Sequence, residues 1–402
     1  MTFHAAYWKG SPEKFVEDTV YELQKLKGTG IATTSGGVDS TTCTAIGKKA
    51  LGDGLLSIHF EHGGMRKGEC NHIVELLNQS GVTTEFRDYT SIFMPRVIAA
   101  GPDNEAKRKA ISKTYFDVAI DEAKKFGGNF FFQGTNKADK NEVIVKFVKT
   151  QNNVVTPEVR ERFEREGIEI VEPVEELVKN QVREVARYMG LPLELSERQP
   201  FPGPGLYVRK VGQVTEESME IMREVDYIAS KKLQRLGDQL KEFADKNKQC
   251  FAALMDNKTT ELDYFPKEVD GVPIDSPRLT TSSVTGLNQE GERAYGRMLL
   301  FDSYNTGIDR LTEVSDKILE TDKARQLGIV RCATFIDKYS KGDFIVPLRA
   351  IATTDFNRST ALPLRRGDLE EVADELTAMP QIGGVVYDIT HKAPGKATIE
   401  YE

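Results

Sequence analysis

The chain has 402 residues, 39% of them hydrophobic and 29% charged, which is ordinary for a soluble globular protein of two or three domains. A formal net charge of −8 excludes a global basic field, so no nucleic-acid partner is expected. The four cysteines, Cys43, Cys70, Cys250 and Cys332, form no CxxC pair and no metal-ligand spacing, which argues against a zinc site or a disulfide framework and suits a reducing cytoplasm.

The first residues lack the apolar core of a signal peptide. No stretch approaches the ~18 apolar residues of a membrane span, so no membrane partner is expected. Residues 12–26 read as an amphipathic helix, with Phe15, Val16, Val20, Leu23 and Leu26 at helical spacing. Residues 31–34 form a short strand that runs directly into Ser35-Gly36-Gly37-Val38-Asp39-Ser40. Helix (40–50), strand (55–60), helix (71–79) and strand (83–87) follow, then a long helix (105–126). Residues 129–133 read as a buried strand ending at Gly134-Thr135. This alternation predicts an α/β fold, a parallel sheet with helices on both faces. Ligands on such sheets bind beyond the carboxyl ends of strands, where SGGVDS and QGT both fall.

The strongest punctuation is RQPFPGPGL, residues 198–206, whose prolines and glycines fit neither helix nor central strand. It divides the expectation into a first domain (1–197), a Pro/Gly-rich linker (198–215) and an α+β domain (216–402). Within the latter, residues 216–241 read as a charged helix. Residues 244–327, including a loop-like stretch at 266–277, form an insertion that the sequence leaves unassigned. Strands at 344–352, 384–389 and 397–401 and a helix at 369–378 complete the domain.

A strand that ends in Ser-Gly-Gly-x-Asp-Ser and opens a helix is a phosphate-binding device. Glycines let the backbone approach an anion without Cβ interference, and successive N–H groups at the helix start supply positive charge. Ser35 and Ser40 add hydroxyls, and Asp39 can hold a Mg²⁺ that bridges phosphate oxygens. The pattern is not a Walker A loop, which needs GxxxxGK[ST]. It is an N-type PP-loop, which holds the pyrophosphate part of ATP and leaves the α-phosphate open to attack. The reaction class is adenylyl transfer.

Five segments extend this reading: SGGVDS; AKRKAISKTYFDVAIDEA (106–123); QGT (133–135); RQPFPGPGLYVRKVGQVT (198–215); and VVYDITHKAPGKATIEYE at the C-terminus. Together they resemble the ATP-pyrophosphatase and dimerisation parts of GMP synthetase, over most of the chain. The resemblance implies an adenine-nucleotide alpha-hydrolase-like sheet, ATP and Mg²⁺, adenylation of O2 of xanthosine monophosphate and displacement of AMP by ammonia. It also implies a homodimer and, since no glutaminase domain is present, ammonia that is free or comes from a separate glutaminase subunit. By the same resemblance Asp39 and Lys179 are catalytic, and Ser35 to Ser40 with Gln133, Gly134 and Thr135 bind ATP. Arg198, Gln151, Asn152, Asn153, Arg349, Lys392 and Glu400 contact a nucleotide or other phosphorylated substrate.

The chain departs from the family at the substrate loop. KSHHNVGGLPE of the family corresponds here to KTQNNVVTPE (149–158), with both histidines and both glycines replaced. FKDEVR becomes Val178-Lys179-Asn180-Gln181-Val182-Arg183, which keeps the lysine and turns two carboxylates into amides. A paralogue that adenylates a different oxo-substrate, for amine or sulfur transfer, is the alternative these changes leave open. Cys43, one turn into the helix after the PP-loop, and Cys70 are the candidate thiols, although core packing is the commoner role for a cysteine at position 43. His59 and His62 are candidates for the adenine side. Arg66-Lys67 and Arg108-Lys109 are candidates for charge toward phosphates, and ERFERE (161–166) reads as a solvated helix face or a loop lid.

Overall fold

The computed structural model describes residues 3–137, 155–196, 201–287, 293–337, 339–353, 359–391 and 401. Contacts divide the chain into two compact units, one of Met1–Ala100 with Glu105–Gly205, the other of Gly101–Asn104 with Leu206–Glu402.

The first unit runs α1 (Pro12–Leu23), β1 (Gly30–Thr33), α2 (Val38–Leu51), β2 (Leu55–Glu61), α3 (Glu69–Gln79), β3 (Thr84–Asp88), α4 (Thr90–Ala99), α5 (Asn104–Phe126), β4 (Phe130–Phe132), α6 (Pro157–Arg165), β5 (Glu169–Val171), α7 (Lys179–Tyr188) and α8 (Leu193–Ser196). Its five strands are all parallel, in the order β3-β2-β1-β4-β5. Successive side chains of a strand face opposite ways, and here both ways lead to a core. Ala32, Phe130 and Phe132 pack with α1, α2 and α7 through Phe15, Val16, Ile46, Val182 and Val185. Ile31 and Phe131 pack on the other face with Phe116 and Ala119 of α5 and Phe163 of α6. Helices on both faces of a parallel sheet are therefore present as expected. ERFERE falls largely in α6 and is tied down: Arg162 pairs with Asp117 of α5, so this charged run is more than a solvated face.

The second unit comprises β6 (Lys210–Val211), α9 (Glu216–Asp238), β7 (Asn247–Ala252), β8 (Leu254–Asp256), β9 (Thr259–Glu261), β10 (Glu268–Val269), β11 (Val272–Pro273), β12 (Asp275–Thr280), β13 (Val284–Leu287), β14 (Arg293–Asp302), α10 (Ile308–Leu319), α11 (Asp322–Leu327), β15 (Ile329–Phe335), β16 (Phe344–Thr353), β17 (Ser359–Ala361), α12 (Arg366–Thr377) and β18 (Ile382–Asp388). One mixed sheet follows the order β6-β8-β16-β18-β15-β14-β12-β9, with β7 and β17 also on β16 and β13 on β14. The segment 244–327 is thus no appended loop, since it supplies β7 against the central strand β16 and β14 against β15. Its 266–277 stretch holds the β10–β11 hairpin. Asp270 and Gly271 both take positive φ there, the requirement of a type I′ turn. Asp270 also accepts from Arg310 (2.6 Å) and Lys317 (2.7 Å) of α10. The expected strand at 397–401 lies outside the described residues, except for Tyr401. Among the described residues no helix is long and apolar enough to cross a membrane.

Candidate active site

The strand order reverses between β1 and β4: β1 is followed by β2 on one side, and β4 lies on the other. Such a switch point opens a crevice at the carboxyl ends of the two strands. SGGVDS leaves β1 into this crevice and Gln133-Gly134 leaves β4 into it. The two segments are in close contact, because a Cβ on Gly134 would stand 2.7 Å from Ser40 N and 2.8 Å from the Asp39 carbonyl carbon. Only glycine permits that approach.

Within the loop Gly36 takes φ +78°, and the Ser40 hydroxyl closes the turn. It accepts from Ser35 N (3.2 Å), pairs with Ser35 Oγ (3.0 Å) and donates to Gly37 O (3.1 Å). Gly37 is the N-cap of α2 and offers no side-chain cap, so the first N–H groups of the helix are left for an anion. Thr42 and Thr44 are poor helix formers, but they donate back to Val38 O (2.6 Å) and Ser40 O (2.8 Å) inside the buried helix.

Asp39 and Lys179, 140 residues apart in sequence, meet above this turn, where the Lys179 ammonium donates to Asp39 Oδ2. Lys179 opens α7, and Gln181 accepts from Val178 N at 3.0 Å, the helix-start role a glutamate would fill. The other carboxylate oxygen, Asp39 Oδ1, is buried with no hydrogen-bond partner among the described residues. An orphaned carboxylate oxygen beside a phosphate cradle fits a hard divalent cation. No cluster of three or more potential His, Cys, Asp or Glu ligands exists among the described residues, so such an ion would lean on Asp39, substrate oxygens and water.

A cavity of about 230 Å³ lies over the loop. Its floor is Ser35 and Gly37 to Ser40, its cationic side Lys179 and Arg183, and its apolar side Phe60, Met65, Phe93 and Phe201. Tyr115 and Gln133 join them: the Tyr115 hydroxyl bonds to Thr33 and donates to Gln133 Oε1 at 3.3 Å. Burial pushes the Tyr115 phenol up to about 12, so it stays a protonated donor at neutral pH. The Pro/Gly segment forms part of this wall. Gly205 takes φ +67° with Gly64 O only 2.2 Å from where a Cβ would lie, and the Arg66 guanidinium stacks 4.5 Å from the Phe201 ring.

Several expectations change. Thr135 does not line the cavity; its hydroxyl donates to Glu172 at 2.5 Å. Of the two histidines His62 lines the cavity, tilted against Phe93 at 5.6 Å, whereas His59 is fully buried with Nδ1 on Thr34 O at 2.6 Å. Arg66 backs the cavity wall, and neither it nor Lys67, Arg108 or Lys109 lines the cavity. Cys43 is 1% exposed and burial drives its thiol well above the ordinary value, opposite to what a helix N-terminus would do. Cys70 is buried and donates to Glu61 at 3.1 Å. Arg349 is 1% exposed, and its Nη1 bonds to Asp388 (3.0 Å) and Thr390 O (2.9 Å). Gln151, Asn152, Asn153, Arg198, Lys392 and Glu400 lie outside the described residues. Arg183, which no motif marks, joins the cavity, and its spacing of four from Lys179 puts both cations on one helix face.

Fold and site together define an N-type PP-loop ATP pyrophosphatase. Residues 29–198 match the family described as Queuosine biosynthesis protein QueC. Along nearly its whole length the chain is similar to a subunit of the glutamine-hydrolyzing GMP synthase of Sulfurisphaera tokodaii, 31% identical over 97% of this chain and 99% of that one. The corresponding GMP synthase subunit from Archaeoglobus fulgidus is 39% identical over 61% of this chain and 77% of its own. Among solved structures, NMN synthetase from Francisella tularensis superposes with a TM-score of 0.38 at 16% identity, over 53% of this chain and 85% of that one. The chain belongs to the family of these GMP synthase subunits, and it is an ATP-dependent ligase of the C–N bond-forming kind.

Proposed function

We propose that the chain adenylates O2 of xanthosine monophosphate at the expense of ATP, releases pyrophosphate and lets ammonia displace AMP to give GMP. The observation that carries this reading is the meeting of Asp39 and Lys179 over the SGGVDS turn. The N–H groups at the start of α2 and the Ser35 and Ser40 hydroxyls hold the β- and γ-phosphates, and Lys179 with Arg183 stabilises charge as it moves onto the leaving pyrophosphate. Asp39 would hold a Mg²⁺, which would supply further neutralising charge to the phosphates. Phe60, Phe93 and Phe201 exclude water from the nucleotide, and Tyr115 fixes Gln133 at the cavity edge. Catalysis here is mainly positioning and electrostatics.

The relatives are named as one subunit of a glutamine-hydrolyzing synthase, which supports a separate glutaminase partner as the ammonia source. A homodimer through the second unit, a cytoplasmic location, and substrate contacts from Gln151, Asn152, Asn153, Arg198, Lys392 and Glu400 belong to the same proposal. The decisive experiment scores pyrophosphate release from ATP and ammonium with a panel of oxo-nucleotides. Release with xanthosine monophosphate is expected, and a folded protein that binds ATP but releases none with it would sink the reading. The altered loop KTQNNVVTPE favours a second reading, a different oxo-acceptor, which the same panel detects. The burial of Cys43 and Cys70 speaks against a cysteine-dependent sulfur version.

A further inference from the structure

At the entry to the PP-loop sits a buried histidine that has no part in the proposed reaction. His59 lies on β2 and is 0% exposed. Its Nδ1 stands 2.6 Å from the carbonyl oxygen of Thr34, the residue that joins β1 to SGGVDS. A carbonyl oxygen only accepts, so Nδ1 carries a hydrogen and donates it.

That bond holds one end of a peptide unit whose other end belongs to the loop. The Thr34–Ser35 peptide is trans, so its C=O and N–H point opposite ways. His59 holds the carbonyl, and the Ser35 N–H donates to Ser40 Oγ at 3.2 Å, one of the bonds that close the turn. The other polar groups of Thr34 are tied as well. Its N–H donates to Ile58 O at 2.8 Å, and its hydroxyl lies 2.8 Å from Thr44 Oγ1. Thr44 spends its own hydrogen on Ser40 O, so Thr34 is the donor in that pair. Of the contacts made by Thr34, only the one on its carbonyl sets which way the Thr34–Ser35 peptide faces. Turned over, that peptide would aim its carbonyl at Ser40 and break the Ser35–Ser40 bond. The negative end of its dipole would then face the turn that holds the phosphates in the proposed function.

We propose that His59 is a positioning residue that locks the Thr34–Ser35 peptide in the orientation in which the PP-loop receives phosphate, so that the cradle is set before ATP arrives. This role rests on the proposed function, which places the ATP phosphates over the loop.

The test compares wild type with His59→Asn, His59→Gln and His59→Leu, by titration calorimetry of Mg·ATP binding and by thermal melting without nucleotide. The amide of His59→Asn sets an N–H near the position of Nδ1, that of His59→Gln reaches toward Nε2 instead, and His59→Leu has no donor. His59→Asn should therefore keep the ATP Kd within about threefold of wild type, whereas His59→Gln and His59→Leu raise it roughly tenfold or more. A residue that served packing alone would not give this order, since His59→Asn leaves the largest void. Equal affinity in His59→Asn and His59→Gln overturns the proposal, whether or not His59→Leu folds. A folded His59→Leu that binds ATP as wild type does overturns it as well. Failure of both amide variants to fold also overturns it, because His59 would then serve the fold rather than the loop. Wild type that binds Mg·ATP yet releases no pyrophosphate with xanthosine monophosphate sinks the proposed acceptor and leaves the role of His59 standing. Wild type that binds no Mg·ATP overturns both.

Discussion

At the residue scale the site depends on contacts with no slack. Gly134 carries its hydrogen where a methyl group would meet backbone atoms of Asp39 and Ser40 below 3 Å, and neither backbone can yield without moving the loop. Gly134→Ala should therefore weaken ATP binding by roughly ten- to hundredfold with overpacking of about 1–3 kcal/mol, read by nucleotide titration and thermal melting. Unchanged ATP affinity would show that the loop tolerates displacement. Lys179→Ala should lower the rate of pyrophosphate release by about two to three orders of magnitude, the scale of one lost charge-stabilising donor. Cys43→Ser should leave that rate within about twofold, since a thiol buried and held protonated is no nucleophile. A Cys43→Ser protein that folds, binds ATP and makes no product would revive the sulfur reading.

At the element scale, β16 is buried almost end to end, and its near-continuous apolar run is broken by Arg349. The parallel register with β18 sets Leu348 against Tyr387, which brings Arg349 to Asp388. Arg331 of β15 reaches the same carboxylate at 2.8 Å from the other side. Burial alone would raise the Asp388 pKa, but Arg349, Arg331 and the Thr390 hydrogen bond outweigh it and hold the carboxyl below its ordinary 3.8. A carboxyl with a lowered folded pKa takes up fewer protons folded than unfolded as the pH falls. The stability it contributes is thus present above about pH 4 and lost below, as pH drops through the folded value. Asp388→Asn should cost about 3–5 kcal/mol at neutral pH, by leaving two buried guanidiniums uncompensated, and should flatten the acid limb of the stability curve. Denaturant melts from pH 7 to pH 3 check both, and an unchanged acid limb would remove Asp388 from the account.

At the scale of the whole molecule, the ATP cavity is built within the first unit, from the PP-loop near its start to the wall of Phe201 to Gly203 near its end. Saturating Mg·ATP, at about a hundredfold over its Kd, should stabilise that unit by roughly 2.7 kcal/mol, visible by calorimetry as an upward shift of its unfolding transition. Asp39→Asn should abolish the Mg²⁺-dependent part of the shift. A shift equal in both proteins would take Asp39 out of the metal's coordination.

The sequence by itself determined the first unit and the floor of its site. The reason is local: apolar runs at strand and helix periods, and a hexapeptide whose glycines and hydroxyls act within one turn. Two further signals are equally local: Asp270-Gly271 as a hairpin turn, and Arg183 four residues after Lys179. Only the tertiary structure decided which polar side chains line the cavity. Arg349, Thr135 and His59 are candidates by motif or position, and each is buried and bonded to a protein group, because a buried polar group seeks a partner wherever the fold places it. The same rule makes the role of His59 visible, since the carbonyl it meets stands 25 residues away and no local pattern could have joined them.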